Sequence, residues 1–107
     1  MKIHPAMRRG GTLLPPAPTD HARIAIIAIG RTVRCLRARR GVSQETLGFQ
    51  AGLHRNFVGH VERGEGNPTV TVLVKLVRAL DLPLSVIVGE FERCLAEVYA
   101  EADRGRR

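Results

Sequence analysis

Apolar residues along this chain recur in steps of three and four, and the pattern predicts helices alone. The opening stretch, "MKIHPAMRRGGTLLPPAPTD", has no such period and holds four prolines and a Gly-Gly pair. Residues 1–19 are therefore expected to form a flexible basic arm. Asp20 is a candidate N-cap for a helix running to Arg40 and closed by Gly41, with Ile26, Ile29, Val33 and Leu36 along one stripe. Ser43 opens a short second helix that carries Glu45 in its first turn and stops at Gly52. A tight turn, "GLH", leads into a third helix within "LHRNFVGHVER". After the loop "EGNPT", Thr69 caps "VTVLVKLVRALD". Its valines and threonines favour a strand, but Val70, Leu73, Leu76, Val77 and Leu80 fit a helix, and alternation fails at Val72–Leu73–Val74. Pro83 breaks the chain. Residues 84–102 form a last helix with Leu84, Ile87, Val88, Phe91, Cys94, Leu95 and Val98 on one side, and "DRGRR" is a frayed end. The expected fold is all-α, a compact five-helix bundle: a central domain over residues 20–83, then a C-terminal helix and basic tail over 84–107.

Wound at about 100° per residue, residues 53–63 divide into two faces. Leu53, Phe57, Val58 and Val61 share one arc of about 140°, and Arg55, Asn56, Gly59, His60 and Arg63 share the opposite one, with Glu62 on the boundary. Arg donates in bidentate fashion to guanine, Asn pairs with adenine, and His60 can donate or accept. Gly59 weakens a helix by about 1 kcal/mol relative to Ala, which close approach to a base or backbone would justify. Taken alone, such a face is usually that of an ordinary solvated helix. The capped helix and tight turn before it supply context. Together they form a helix-turn-helix, whose second helix enters the major groove by its N-terminal end, where Arg55 and Asn56 stand.

Charge narrows the partner class. The 107-residue chain carries a net charge of +7, and 15 of its 17 basic residues are Arg. That excess favours an anionic partner: nucleic acid, an acidic protein or an anionic membrane. The apolar run "IAIIAI" is six residues long and is followed at once by Arg31 and Arg34. It is too short to span a membrane, so a cytoplasmic protein with no membrane partner is expected. Cys35 and Cys94 stand apart without a CxxC or Cys/His cluster and read as packing residues. His54 and His60 make poor joint ligands, so neither metal nor cofactor is expected. With no carboxylate pair in a plausible cleft and no phosphate loop, neither an enzyme nor a small-molecule substrate is expected.

The stretch "SQETLGFQAGLHRNFVGHVERGEGNPTVTVLVKLVRALDLPL" resembles the helix-turn-helix domain of the phage-repressor and Cro-like family. The shared pattern is a Ser-Gln pair opening helix two, Ala-Gly at the turn, Glu-x-Gly ending helix three, an Asn-Pro loop and a Leu-rich fourth helix. The resemblance covers roughly residues 26–88. The segment "GLHRNFVGHVERG" more narrowly resembles the controller proteins of restriction–modification systems. The resemblance implies that Gln44 bonds a DNA phosphate, or merely solvates a helix end. It implies that His54 contacts the DNA backbone or only caps helix three, that Arg55 and Asn56 reach bases, that His60 reaches a base or phosphate, and that Arg63 reaches a phosphate. Arg37 aligns with a family Arg that pairs with the Glu here at position 62, a structural tie between helices one and three. Two positions depart from the family pattern: Gly48 stands where Ala is usual, and Thr46 replaces the capping-box Glu. The start of helix one, with Ile24 and Ile27, is also longer than the family needs.

Double-stranded DNA is thus the expected partner. The expected function is a sequence-specific transcriptional regulator acting as a homodimer on a palindrome with half-sites about one helical turn apart. In the last helix Leu84, Phe91 and Val98 recur every seven residues with Ile87 and Cys94 between them, more apolar surface than a small domain covers. These five are candidates for dimerisation, or for folding back on the chain's own core. Two alternatives stay open: an antitoxin-like module that binds a partner protein as well as DNA, and a non-specific nucleic-acid binder.

Overall fold

Three helix starts are fixed by the side chains that the sequence places just before them. In the computed structural model, which describes residues 16–105, Asp20 Oδ1 accepts from the Arg23 N–H at 3.3 Å, Ser43 Oγ from Thr46 at 3.0 Å and Thr69 Oγ1 from Val72 at 3.2 Å. Each satisfies an amide that a first helical turn leaves unpaired. The described residues form five helices in the order α1 (His21–Arg40), α2 (Gln44–Ala51), α3 (Phe57–Glu62), α4 (Val70–Ala79) and α5 (Leu84–Arg104). Most of the expected arm, including Lys2, Arg8 and Arg9, lies outside the described residues. At the start of α2 the Ser43 hydroxyl also donates to Thr46 Oγ1 at 2.9 Å. A hydroxyl pair thus occupies the place of the missing carboxylate of a capping box.

The core has two parts. The first joins Val33 and Leu36 of α1, Leu47 and Ala51 of α2, Val58 and Val61 of α3, Leu76 and Val77 of α4, and Ile87 of α5. The second is a zipper between the first half of α1 and the second half of α5: Ile24 and Ala28 against Cys94, Val98 and Ala102. The surplus length of α1 therefore has a purpose, since it covers the apolar side of α5. Polar links border this seam. Arg31 donates to Glu101 from both Nη atoms at 2.7 and 2.8 Å, and His21 Nδ1 lies 2.6 Å from the Tyr99 hydroxyl. Buried Glu90 accepts from Arg93 at 2.6 Å and from the Cys35 thiol at 3.1 Å.

Several expectations change here. Ile87, Cys94 and Val98, candidates for a dimer seam, are at most 3% exposed within the single chain, because α1 and the first core already cover them. Phe91 is partly buried against the same zipper; Leu84 stays 44% exposed. Val70, on the helical spacing of α4, is 72% exposed at its first residue. The expected frayed end begins later, since α5 continues through Arg104.

Candidate nucleic-acid interface

The recognition helix starts at Phe57, just past Arg55 and Asn56, the residues expected to open it. α3 proper is Phe57–Glu62, and Leu53–Asn56 form the turn that leads into it. The reason is local. The His54 ring takes the Asn56 N–H at 3.2 Å, and the His54 carbonyl accepts from Phe57 at 2.9 Å. Those bonds tighten the entry into an i→i+3 turn and leave no unbroken helix from Leu53. Asn56 becomes the residue before the helix, and its side chain makes no capping bond.

Around this short helix the candidate residues gather. His54, Arg55, Asn56, His60 and Arg63 are all exposed, while Val58 and Val61 face the core. His54, Asn56, Phe57, His60 and Arg63 line one shallow hollow of about 310 Å³. Arg55 stands on the other flank and lines a second hollow of about 400 Å³ with Glu45, Thr46, Phe49, Gln50 and Leu53. Two guanidiniums, two imidazoles and an amide thus share one end of the molecule.

A buried carboxylate holds α3 from behind. Glu62, with a side chain 3% exposed, accepts from Arg37 Nε at 2.7 Å and from Arg37 Nη2 at 3.0 Å. Arg37 Nη1 also donates to the Val42 carbonyl at 2.8 Å, so one guanidinium joins α1, the α1–α2 turn and α3. The bond to Glu62 raises the Arg37 pKa. Gln44, expected to bond a phosphate or solvate a helix end, donates from its amide nitrogen to Glu62 Oε1 at 2.9 Å. It belongs to the lock that orients α3 as much as to the surface.

Gly59 differs from expectation. A Cβ there would stand 3.0 Å from both Gln44 Oε1 and Arg63 Nη1. The residue is buried, and its smallness serves packing within the chain instead of an outward approach. Glu65, which sequence reasoning passed over, accepts from Arg63 Nε at 3.1 Å and lies 3.3 Å from His60 Nδ1. Its only sequence signal was its place just after the Gly64 turn. Among the described residues no group of three or more His, Cys, Asp or Glu is placed to hold a metal ion, and no helix is long and apolar enough to cross a membrane.

A capped α2, a tight turn and an α3 locked from behind define a helix-turn-helix. The helix-turn-helix (HTH_3) family profile matches residues 33–87, just over half of the chain, and the chain belongs to that family. It is similar to the immunity repressor protein of Bacillus phage phi105, 32% identical over 70% of this chain and 51% of the repressor. It is also similar to the control protein C.SmaI of Serratia marcescens, 42% identical over 50% of this chain and 63% of that protein. Among solved structures, the restriction–modification controller protein C.AhdI from Aeromonas hydrophila matches with a TM-score of 0.56 and 42% identity, covering 58% of this chain and 94% of that one. The chain thus spans about half to two thirds of the length of these two curated relatives.

Proposed function

We propose that the chain is a sequence-specific DNA-binding transcriptional regulator that acts as a homodimer on a palindromic operator, in the manner of a restriction–modification controller protein. One observation carries the proposal: exposed His54, Arg55, Asn56, His60 and Arg63 surround the entry and outer face of an α3 that Arg37, Glu62 and Gln44 hold from behind. Arg55 and Asn56 read base edges from the N-terminal end of α3, and His54, His60 and Arg63 bind phosphates or neighbouring base edges. The net charge of +7 draws the protein to the duplex.

The dimer surface is reassigned to the residues left exposed. Leu84 and Val88 lie one turn apart on α5, and Val70 and Val74 one turn apart on α4; their exposures run from 38% to 72%. The two helices touch, and these two pairs are the surface we assign to a second copy. A second reading, an antitoxin-like module that also binds a partner protein, is favoured by Phe49, a large aromatic 85% exposed on α2.

Selection of bound duplexes from a random pool tests the proposal. Enrichment of an inverted repeat with half-site centres about 10 bp apart supports it. Enrichment of a single unrepeated half-site removes the dimer, and recovery of an unenriched pool removes sequence-specific reading altogether.

A further inference from the structure

Among the cations of the reading face sits a carboxylate that the DNA-binding reading leaves without a task. Gly64 turns the chain in the left-handed region at φ 74°, and its N–H donates to the Val61 carbonyl at 3.0 Å. The next amide, that of Glu65, donates to the His60 carbonyl at 3.1 Å. These two bonds fold residue 65 back over the last turn of α3. One oxygen of Glu65 then faces both Arg63 Nε at 3.1 Å and His60 Nδ1 at 3.3 Å. Gly66 completes the arrangement. A Cβ there would lie 2.7 Å from His60 Cδ2, so the imidazole occupies the space beside the loop that a side chain at position 66 would need. Arg63, for its part, lies across Gly59, its Nη1 3.0 Å from where a Cβ would stand.

We infer that Glu65 is a specificity-determining residue, which holds Arg63 and His60 in one orientation so that they cannot follow an arbitrary phosphate. The inference rests on the DNA-binding reading above. The chemistry lies in the shape of the guanidinium. With Nε bound to Glu65, both Nη groups keep their outward donors, but the planar fork has one fixed aim. A duplex docked in register by Arg55 and Asn56 presents its acceptor along that aim and leaves the Glu65 pair intact. On random sequence no register is enforced, so Arg63 must leave Glu65 to reach a phosphate, and the carboxylate repels that phosphate meanwhile. Glu65 therefore weakens non-specific binding more than operator binding. Glu62, three residues earlier, cannot take this part, because its carboxylate is buried and already bonded to Arg37 and Gln44.

The test compares the full chain with Glu65→Gln, Arg63→Ala and the double variant, each with unchanged far-UV circular dichroism. Each is titrated with the duplex selected from the random pool and with a scrambled duplex, over a range of salt. In Glu65→Gln the affinity for scrambled DNA should rise about three- to fivefold, the scale of one exposed ion pair. Its salt slope should steepen by about one phosphate contact. Operator affinity should change less than twofold, so the specificity ratio falls. In the Arg63→Ala background the same Glu65→Gln change should leave the ratio within twofold. An equal rise on both duplexes would make Glu65 an ordinary negative charge and overturn the inference, as would no change on either. If the wild-type chain itself prefers no sequence, the DNA-reading proposal fails first, a result distinguishable because it needs no variant.

Discussion

Two glycines eleven positions apart, Gly48 in α2 and Gly59 in α3, show how much a residue's meaning depends on its neighbours. Both weaken a helix by about 1 kcal/mol relative to Ala. At Gly48 an added Cβ would meet Val58 Cγ2 at 3.6 Å and the His54 carbonyl oxygen at 3.7 Å, ordinary contacts. Gly48→Ala should therefore stabilise the protein by about 1 kcal/mol, and thermal denaturation should show the midpoint raised by about 4–8 °C. A lowered midpoint would mean that the two helices pack more tightly than these distances state. At Gly59 the same methyl would press on Gln44 and Arg63, so the two positions are not equivalent. Arg55 sets a different test. It is exposed and carries no structural bond comparable to that of Arg37, so its loss should leave the fold alone. Arg55→Ala should weaken operator binding by about 1–3 kcal/mol and relax the preference at one base pair in a competition assay. Uniform weakening on every sequence would make it a phosphate contact.

At the scale of the element, what was legible in the sequence was whatever is encoded locally. α1, α2 and α4 begin after Asp20, Ser43 and Thr69 because a hydroxyl or carboxylate there bonds an amide a few residues on, and α1 and α2 stop at left-handed glycines. α3 was misplaced at its start because an apolar period cannot show that the His54 ring intercepts the Asn56 amide. The mate of α5 was equally hidden. Its apolar side was plain, but the bidentate pair of Arg31 with Glu101 joins residues 70 positions apart, and no local pattern specifies such a contact. At Gly30 α1 passes so close to α3 that any Cβ would run into the Val61 carbonyl oxygen, a constraint visible only once the helices are together. The α1–α5 seam also responds to acid. The Arg93 guanidinium and then the Cys35 thiol bond Glu90 and hold its carboxyl well below the ordinary 4.5, at about 2. The depressed value means stability is present above pH 4.5 and is lost as pH falls toward 2. Glu90→Gln should lose about 1–2 kcal/mol at neutral pH, a modest figure because Arg93 is half in water. Urea midpoints of the two proteins should converge as pH drops through that window. A constant gap down to pH 2 would show that packing, and not the charge, is what the substitution removes.

For the whole molecule, the proposed dimer explains why a reading element so small can select a site. α3 is six residues long, and with its entry turn it offers few side chains to base edges. One such unit discriminates weakly, because each mismatched base pair is worth only about 1–3 kcal/mol. Two units on one palindrome add their base contacts, and phosphate contacts from both copies steepen the salt dependence. Coupling two copies requires a surface that the fold does not already use. The α1–α5 zipper is closed, and besides Phe49 on α2 the exposed large apolar residues are Leu84 with Val88 and Val70 with Val74. Val88 is the most informative of the four, since at 49% exposure a charged side chain can occupy the position in the lone chain without entering the core. Val88→Glu should place a carboxylate within the dimer surface and, in sedimentation at micromolar concentration, shift the mass to that of a single chain. Helix content and thermal midpoint at low concentration should stay near the wild-type values. Operator affinity should drop by tenfold or more, while binding to a single half-site changes little. A variant that remains dimeric would move the interface away from α4 and α5, and a wild-type chain that sediments as a monomer even on its operator would leave recognition to one α3 alone.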